Sequence, residues 1–293
     1  MARPSISLGL FHRRPDTHKG DYGHVLVVGG SVGLTGAPVL CALGALRSGA
    51  GLVTVGVPES AFFIVAAHLV EAMPVPLPEV SGGYLSTAAF AKLRDLVIPA
   101  DAVALGPGLS QHPVTQRCVR QFLLRVTQPL VVDADGLNAL VGHTQLLARV
   151  RAPVVVTPHP GELARLIGHR VETIQSSRIA VARATAKRWG TVVVLKGHRT
   201  IVASPAGRVY VNTTGNPGMA TGGMGDVLTG IIAGFLGQGF SAFDAAAVGV
   251  YVHGTAGDVA AKAVGPVGLL ATDVAACVPA AIRRSRARAS LPT

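Results

Sequence analysis

The stretch Thr214–Gly230, TGNPGMATGGMGDVLTG, joins a glycine-rich turn to the start of an apolar helical pattern. Gly222, Gly223 and Gly225 come just before Asp226, and the apolar positions begin directly afterwards. The first backbone N–H groups of a helix have no partners inside it, and the helix dipole adds partial positive charge there. Glycines also let the backbone approach a ligand closely. The sequence therefore predicts a seat for phosphate or another oxyanion at this helix start.

Asp226 is the unusual residue of this stretch. A carboxylate beside a phosphate repels it, so the position favours a role toward a proton or a metal ion. The alternative is a first-turn helix residue that the dipole stabilises. Spacing alone leaves both interpretations open.

The composition indicates a large α/β unit. Of 293 residues, 49% are hydrophobic, 36 are glycine and only 14% are charged, which predicts a large core with many tight turns. No long low-complexity linker and no repeat at a fixed period interrupts the chain. We therefore predict a single domain over 1–293, with a basic tail at 283–293.

The net charge of +11 suits an anionic small-molecule ligand. Aromatic residues make up only 4% of the chain, which argues against nucleic-acid binding by base stacking. Four arginines lie in the tail, at positions 283, 284, 286 and 288. Such a tail can bind nucleic acid, but a solvated, frayed terminus is the favoured interpretation.

Cysteine usage and hydropathy predict a cytoplasmic protein that does not enter a membrane. Cys41, Cys118 and Cys277 are scattered without metal-ligand spacing, which is typical of buried thiols in a reducing compartment. The N-terminus MARPSISLGLFHRR lacks the apolar segment of a secretory signal. Residues 25–46 are uncharged, but glycines and a proline interrupt them, so a strand–turn–helix is expected instead of a membrane span.

Short Val/Leu/Ile runs alternate with helical stretches, which predicts a mostly parallel sheet covered by helices. Strands are expected at His24–Val28, Leu52–Val57, Ala102–Leu105, Leu130–Val132, Val154–Val156 and Val192–Leu195, followed by a hairpin of Ile201–Ala203 and Arg208–Val211. Helices are expected at Gly36–Ser48, Pro113–Val126, Thr173–Trp189, Asp226–Leu236, Ala242–Ala263 and Thr272–Arg286.

Polar residues follow the carboxyl ends of these strands or begin helices: Gly106, Asp133, His159, Glu162, Lys196 and Asp226. In open α/β sheets the ligand crevice lies outside those carboxyl ends. We therefore predict that these residues converge on one site.

Each of these residues also has a structural interpretation. Asp133 is a candidate for a magnesium-bound water or a substrate hydroxyl, whereas Asp135 is a candidate helix N-cap. Glu162 could hold Mg²⁺ indirectly while phosphates supply other ligands, or it could cap a helix. Lys196 ends a buried strand and needs an anionic partner, which is either a nucleotide phosphate or an internal carboxylate.

Two other glycine-rich turns are less specific. GGSVGLTG at 29–36 departs from the dinucleotide fingerprint, because Ser31 replaces its second glycine. It is interpreted as a turn that touches a ligand or as tight strand–helix packing. GPGLS at 106–110 is interpreted as packing when it is taken alone.

Seven segments occur together and in order: KGDYGHVLVVGGS (19–31), TGAPVL (35–40), GPGLS (106–110), VVDADGLNAL (131–140), TPHPGEL (157–163), KGHRT (196–200) and NPGMATGGMGDVLTGIIAGFL (216–236). This set resembles the ADP- or ATP-dependent NAD(P)H-hydrate dehydratases of the ribokinase-like superfamily, from about Lys19 to Cys277. The resemblance implies a three-layer sandwich with a mostly parallel central sheet and helices on both faces. The family often carries an N-terminal epimerase domain, for which this chain has no room, so the stand-alone form is expected.

The resemblance also implies roles for individual residues. Asp226 would be the general base, and Gly222, Gly223, Met224 and Gly225 would form the anion hole. Lys196, Gly197, His198, Arg199, Thr200 and Gly225 match nucleotide-binding positions, and Ala37, Gly108, His159 and Asp226 match positions that contact the hydrated dinucleotide. Glu162 matches the acidic position that superfamily relatives use near magnesium; with Asp133, the candidate at the strand end, it would hold Mg²⁺ through water. Met224 departs from the small or polar residue common in the family and could crowd the nucleotide.

The implied activity is the repair of a nicotinamide ring hydrated at carbon 6, driven by phosphoryl transfer. The Ala/Arg/Gly-rich composition looks bacterial, which favours ADP over ATP as the phosphoryl donor. The resemblance further implies a homotetramer and a separate NAD(P)H-hydrate epimerase. Two alternatives stay open: a kinase of the same fold acting on a vitamin-precursor alcohol, and a non-catalytic nucleotide sensor.

Overall fold

The computed structural model describes residues 13–289, with side chains as far as Ser285. The strands are β1 (His24–Val28), β2 (Leu52–Pro58), β3 (Met73–Leu77), β4 (Glu79–Val80), β5 (Tyr84–Leu85), β6 (Ala102–Leu105), β7 (Leu130–Val132), β8 (Val154–Val156), β9 (Val192–Leu195), β10 (Ile201–Ala203) and β11 (Val209–Val211). The helices are α1 (Gly36–Arg47), α2 (Phe62–His68), α3 (Ala89–Val97), α4 (Pro113–Leu123), α5 (Asp135–Asn138), α6 (Pro160–Ile167), α7 (Val171–Ser176), α8 (Arg178–Trp189), α9 (Met224–Gly237), α10 (Ala242–Val264) and α11 (Ala271–Ala289).

Within the described residues, nine strands form one sheet in the order β11-β10-β9-β8-β7-β6-β1-β2-β3. The strands from β9 to β3 in this order pair in parallel, and β10 pairs antiparallel with both of its neighbours. The predicted mostly parallel sheet is therefore confirmed, with the hairpin at one edge.

Both faces of the sheet are covered because alternate side chains of each strand point to opposite faces. Val25 and Val27 of β1 face a core built with α1, α2, α9, α10 and α11. Leu26 and Val28 of the same strand face a second core built with α3, α4, α6 and α8. Almost every strand residue between them is apolar, as expected for parallel strands buried on both sides. The predicted three-layer sandwich is confirmed.

Successive strands are added on opposite sides of β1, with β2 and β3 on one side and β6 to β11 on the other. The boundary between β1 and β6 is therefore a topological switch point, where a crevice lies at the carboxyl ends of the strands. The turns after these strands are joined: Gly30 N donates to Pro107 O (2.8 Å), and the buried Ser31 Oγ donates to Gly108 O (2.9 Å). A Cβ on Gly29 would lie 2.5 Å from Pro107 O. The packing interpretation of both glycine-rich turns therefore holds in the structure.

Three sequence expectations need correction. The helix expected over Thr173–Trp189 is two helices, α7 and α8, because Ser177 adopts a non-helical conformation between them. The pattern also did not predict β3, whose sequence MPVPL carries two prolines, because prolines cannot donate to a sheet and are tolerated at its edge. The arginine tail is not frayed from residue 283: α11 continues to Ala289. The rest of the predicted tail, 290–293, lies outside the described residues, as do residues 1–12.

None of the helices in residues 13–289 combines the length and the apolar character needed to cross a membrane. The cysteines are free thiols; Cys41 and Cys118 are buried as predicted, whereas Cys277 is only half-buried.

Candidate active site

The glycine-rich segment forms the expected helix start. Gly223 is the N-cap of α9 with φ 84°, a left-handed conformation that favours glycine. The first hydrogen bond of the helix runs from Val227 N to Gly223 O (3.1 Å). Among the described residues, none accepts a hydrogen bond from the N–H groups of residues 222–226. Five backbone donors are therefore free at the positive end of a 14-residue helix, beside the carboxylate of Asp226.

The side chain of Met224 does not crowd this seat. It is 6% exposed and packs into the core between the sheet and α9. The departure from the family pattern at this position therefore places the methionine side chain in the core and not over the helix start.

Asp133 lies at the centre of the site and is 1% exposed. Lys196 Nζ donates to its Oδ1 (2.7 Å), and Thr229 Oγ1 donates to its Oδ2 (2.7 Å). Lys196 Nζ also lies 3.6 Å from Glu162 Oε2. The internal-carboxylate alternative for Lys196 is thus what the structure shows. Both oxygens of Asp133 are engaged by protein groups, which weakens its prediction as a magnesium ligand through water.

This ion-pair cluster adjoins the start of α9. A Cβ on Gly225 would lie 3.4 Å from Lys196 Nζ and 3.7 Å from Asp133 Oδ2. Burial and, after it, the negative charge of Asp133 together raise the pKa of Asp226 to about 7, against the opposing effect of the Lys196 ammonium. Burial lowers the pKa of Lys196, but Asp133 and Glu162 outweigh it, so that pKa is raised and the ammonium stays charged. Asp226 therefore titrates near neutral pH.

His159 and Glu162 form a capping box at the start of α6. His159 Nδ1 accepts from Gly161 N (3.1 Å) and Glu162 N (3.3 Å), while Glu162 Oε2 accepts from His159 N (2.7 Å). The flanking prolines hold His159 extended, at φ −77° and ψ 166°, as predicted. The capping alternative for Glu162 is confirmed. The His159 side chain is half-exposed, and its role toward a ligand stays a prediction.

The turn after β6 fits between Asp133 and α1. Gly106 has φ 129°, and a Cβ there would lie 1.9 Å from Asp133 O. A Cβ on Gly108 would lie 3.1 Å from Ala37 Cβ, so the two residues predicted to contact the dinucleotide are neighbours. The prediction of Asp135 as an N-cap is wrong, because the N-cap of α5 is Ala134. Asp135 instead accepts from Ser110 N (2.8 Å) and holds the turn.

The KGHRT segment is an exposed loop after β9. Its start is held by Arg178, a residue that the sequence pattern did not reveal: Nη2 donates to Leu195 O (3.1 Å) and Lys196 O (3.2 Å). The loop curls back where Thr200 Oγ1 donates to Gly197 O (2.9 Å). Gly197 has φ 131°, and a Cβ there would lie 2.9 Å from Arg178 Nη1. Lys196 is the first residue of this loop, and its ammonium lies beside Gly225. The loop therefore begins at the edge of the anion seat, the group of backbone N–H donors of residues 222–226.

The sequence pattern also missed Thr229 and the residues of α10 that hold the segment before the anion seat. Thr229 follows Asp226 by three positions, so a helical wheel places both on one face, and this signal was available. In the sequence, the α10 segment HGTAGD (253–258) looks like an ordinary helical stretch of small residues. Its contacts with the segment before the anion seat are visible only in the structure.

Among the described residues, no group of three or more His, Cys, Asp or Glu side chains is placed to hold a metal ion. Glu162 and Asp133 therefore fit only a magnesium ion that water and nucleotide phosphates coordinate in addition. Mg²⁺ accepts such arrangements because it keeps several of its waters.

A parallel sheet with a switch-point crevice, together with an acid beside free N–H groups at a glycine-rich helix start, defines an α/β protein of the ribokinase-like class. The chain belongs to the NAD(P)H-hydrate dehydratase family, whose family model matches residues 25–280. That match covers nearly the whole sheet and all the residues of the site described above.

Individual relatives support the same family assignment. The chain is 42% identical over 269 residues to the ADP-dependent (S)-NAD(P)H-hydrate dehydratase of Neisseria meningitidis serogroup B, covering 90% of this chain and 86% of that protein. A crystal structure of the Bacillus subtilis ADP/ATP-dependent NAD(P)H-hydrate dehydratase, co-crystallised with ATP and Mg²⁺, is 34% identical with a TM-score of 0.81 and 93% coverage of both chains.

A longer relative, the bifunctional NAD(P)H-hydrate repair enzyme of Moorella thermoacetica, is 50% identical over 274 residues. That alignment covers 94% of this chain but 52% of the relative. The chain therefore spans about half the length of this and several other curated relatives.

Proposed function

We propose that this protein is an ADP-dependent NAD(P)H-hydrate dehydratase that restores NADH or NADPH from the S-epimer of the hydrate. The observation that carries the proposal is the position of Asp226, whose carboxyl titrates near pH 7 beside free backbone donors. A general base works best when its pKa lies near the working pH. The family to which the chain belongs supports the same activity.

In the proposed reaction, Asp226 takes the proton of the ring hydroxyl as that oxygen attacks the terminal phosphorus of ADP. The phosphoryl–oxygen bond to AMP breaks, and AMP leaves. The nicotinamide ring nitrogen then supplies its lone pair to expel phosphate, and loss of a proton restores the dihydropyridine ring. The products are NAD(P)H, AMP and phosphate, so hydroxide never has to leave.

The free N–H groups of Gly222, Gly223, Met224 and Gly225 are proposed to bind the phosphoryl oxygens during transfer. Such donors are effective because they are already oriented and need no rearrangement as charge moves. The left-handed conformation of Gly223 places this residue at the N-cap of α9, where the helix begins.

We place the nucleotide along the loop formed by Lys196, Gly197, His198, Arg199 and Thr200. The loop begins at Lys196, whose ammonium group lies 3.4 Å from where a Cβ on Gly225 would be and so places a positive charge beside the anion seat. Mg²⁺ would accompany the nucleotide, with Glu162 better placed than Asp133 to hold its water shell, and would supply charge neutralisation to the phosphates. ATP is the alternative donor, since the B. subtilis relative was co-crystallised with it.

We place the hydrated dinucleotide at the switch point, against Ala37, Gly108 and His159. The expected partner is an epimerase that interconverts the hydrate epimers, and the expected assembly is a homotetramer. The expected location is the cytoplasm, which is consistent with the free thiols among the described residues.

The test incubates purified protein with S-NADH hydrate, Mg²⁺ and ADP, and follows the reduced-nicotinamide absorbance together with AMP and phosphate. Restored absorbance with one AMP per NADH is the expected result. A stable phosphorylated product of a thiazole or hydroxymethylpyrimidine alcohol, with no NADH formed, would instead identify a small-molecule kinase. Nucleotide binding without any turnover would identify a sensor and refute the proposal.

A further inference from the structure

The segment that leads into the anion seat, residues 212–219, lies directly on α10. Contact is this close because α10 has glycines at the crossing. A Cβ on Gly254 would lie 2.2 Å from Thr214 Oγ1, and one on Gly257 would lie 2.2 Å from Met219 Sδ. Thr214 Oγ1 also donates to the carbonyl of Tyr251 (3.1 Å). The segment is therefore seated in a shallow groove on the helix.

Asp258 holds this segment through both of its carboxylate oxygens. Gly215 N donates to Oδ2 (3.0 Å), and Asn216 Nδ2 donates to Oδ1 (3.1 Å). The other end of the Asn216 amide is also used, because its Oδ1 accepts from Gly218 N (3.0 Å). This arrangement fixes the amide orientation and extends the hold of Asp258 to the next turn. Hydrogen bonds to a charged acceptor are the stronger ones.

Five residues before Asp258 on α10, the buried His253 lies near the other end of the same loop, and its Nε2 has no hydrogen-bond partner among the described residues. Its ring is 8% exposed and lies against the backbone of Met224, at the first position of α9. The α10 segment from His253 to Asp258 thus lies against the chain before the glycines of the anion seat, at Gly215 and Asn216, and against Met224 at the first position of α9. Between these two anchors, the loop of residues 217–223 contains the free N–H groups of Gly222 and Gly223.

We propose that Asp258 is a positioning residue for the dehydratase reaction: it fixes the chain entering the anion seat so that the free N–H groups meet the phosphoryl oxygens. The proposal rests on the proposed function for its kinetic part. Misplacing donors by about 1 Å can cost about 100-fold in rate. Asp258 touches no reacting atom, so its loss lowers kcat and leaves the binding of the hydrated dinucleotide intact.

The experiment compares the full-length wild type with Asp258→Ala, Asp258→Asn and the control Asp244→Ala. Asp244 also lies on α10, in its first turn, where it pairs with the exposed Arg208 (3.1 Å) and contacts no part of residues 212–224. Hydrogen exchange of peptides covering 213–226 is measured alongside kcat and KM. Asp258→Ala is expected to accelerate exchange in these peptides and to lower kcat about 10- to 100-fold with KM for the hydrate nearly unchanged.

Asp258→Asn keeps an oxygen for Gly215 N but loses the acceptor for Asn216, so intermediate exchange and kcat are expected. That variant carries the test if Asp258→Ala does not fold. Unchanged exchange, or a kcat within twofold of Asp244→Ala, would overturn the proposal, as would a loss of activity that matches only the loss of folded protein. If the wild type forms no NADH, the proposed function fails, while the exchange data still decide whether Asp258 orders the loop.

Discussion

Lys196 and Asp133 form a buried ion pair, with Nζ 2.7 Å from Oδ1, directly beneath the second residue of α9. Thr229 donates to the second oxygen of Asp133, so protein groups contact both oxygens of this carboxylate. The pair places one negative and one positive charge beside Asp226, and the negative charge together with burial keeps Asp226 protonated up to about neutral pH. The protonation state of Asp226 is therefore set by its burial and by the opposite charges of Asp133 and Lys196.

Replacing Asp226 by Asn is expected to remove most turnover while nucleotide affinity stays within a few-fold. The amide keeps the shape of the side chain but cannot accept the hydroxyl proton. A lost general base costs about 10²- to 10⁴-fold. Steady-state dehydration of the hydrate and calorimetric titration with ADP measure the two quantities.

Asp244→Asn is the matched control, because Asp244 also occupies the third position of its helix, α10. Both variants lose the same charge at the same place relative to a helix dipole. Equal turnover in Asp226→Asn and Asp244→Asn would reject the role of Asp226 as base.

The pH profile of kcat/KM should report the same acid. Asp226 must be ionised to accept a proton, and its pKa is raised to about 7 by burial and by Asp133. We expect kcat/KM to rise with pH up to about 7 and to level off above it, with that limb absent from the residual activity of Asp226→Asn. A limb centred near pH 4, the ordinary value for an aspartic acid, would contradict the assignment.

Stability should depend on pH through Asp226 in the opposite direction to activity. Its pKa is raised from 3.8 to about 7 on folding, so between these values the folded protein holds a proton that the unfolded chain releases. The contribution to stability is fully present below pH 3.8 and is lost as pH rises through 7. We therefore expect the free energy of unfolding of Asp226→Asn, relative to that of wild type, to increase by about 1 to 3 kcal/mol from pH 4.5 to pH 8.

Urea unfolding of both proteins at the two pH values checks this. Asp244→Asn serves again as the control, and its stability relative to wild type should not increase over this range. A constant difference between Asp226→Asn and wild type would show that the carboxyl of Asp226 ionises normally in the folded state.

Replacing Lys196 by Ala is expected to weaken ADP more than the hydrated dinucleotide, because its charge adjoins the phosphate seat. It also leaves Asp133 buried without its cation, which costs about 3 to 5 kcal/mol of stability. Titration calorimetry with each ligand and urea unfolding measure the two effects. Equal weakening of both ligands would contradict the nucleotide role.

The exposed Lys262, on α10, provides the matched Lys→Ala control. That variant should change neither ligand affinity nor stability by more than a small amount, since surface substitutions are usually within about 0.5 kcal/mol of neutral. A loss of ADP affinity in Lys262→Ala similar to that in Lys196→Ala would point to a general loss of positive charge instead of a specific contact.

Local sequence determined the parallel sheet, the edge at which polar residues gather and the glycine-rich helix start at Asp226. These features follow from periodicity, turn residues and strand ends within short windows, so they are legible without tertiary contacts. The same windows failed at β3, where prolines hide an edge strand, and at Asp135, whose partner Ser110 lies in another turn.

Only the tertiary structure decided which partners the polar residues have. The partner of Lys196 lies 63 residues away in sequence, and Thr229 reaches across 96 residues to the same carboxylate. Asp258 contacts a segment that precedes it by more than a whole helix. Because a buried charge takes whichever partner the fold brings within hydrogen-bond distance, its choice between ligand and internal carboxylate is fixed only when the strands and helices pack.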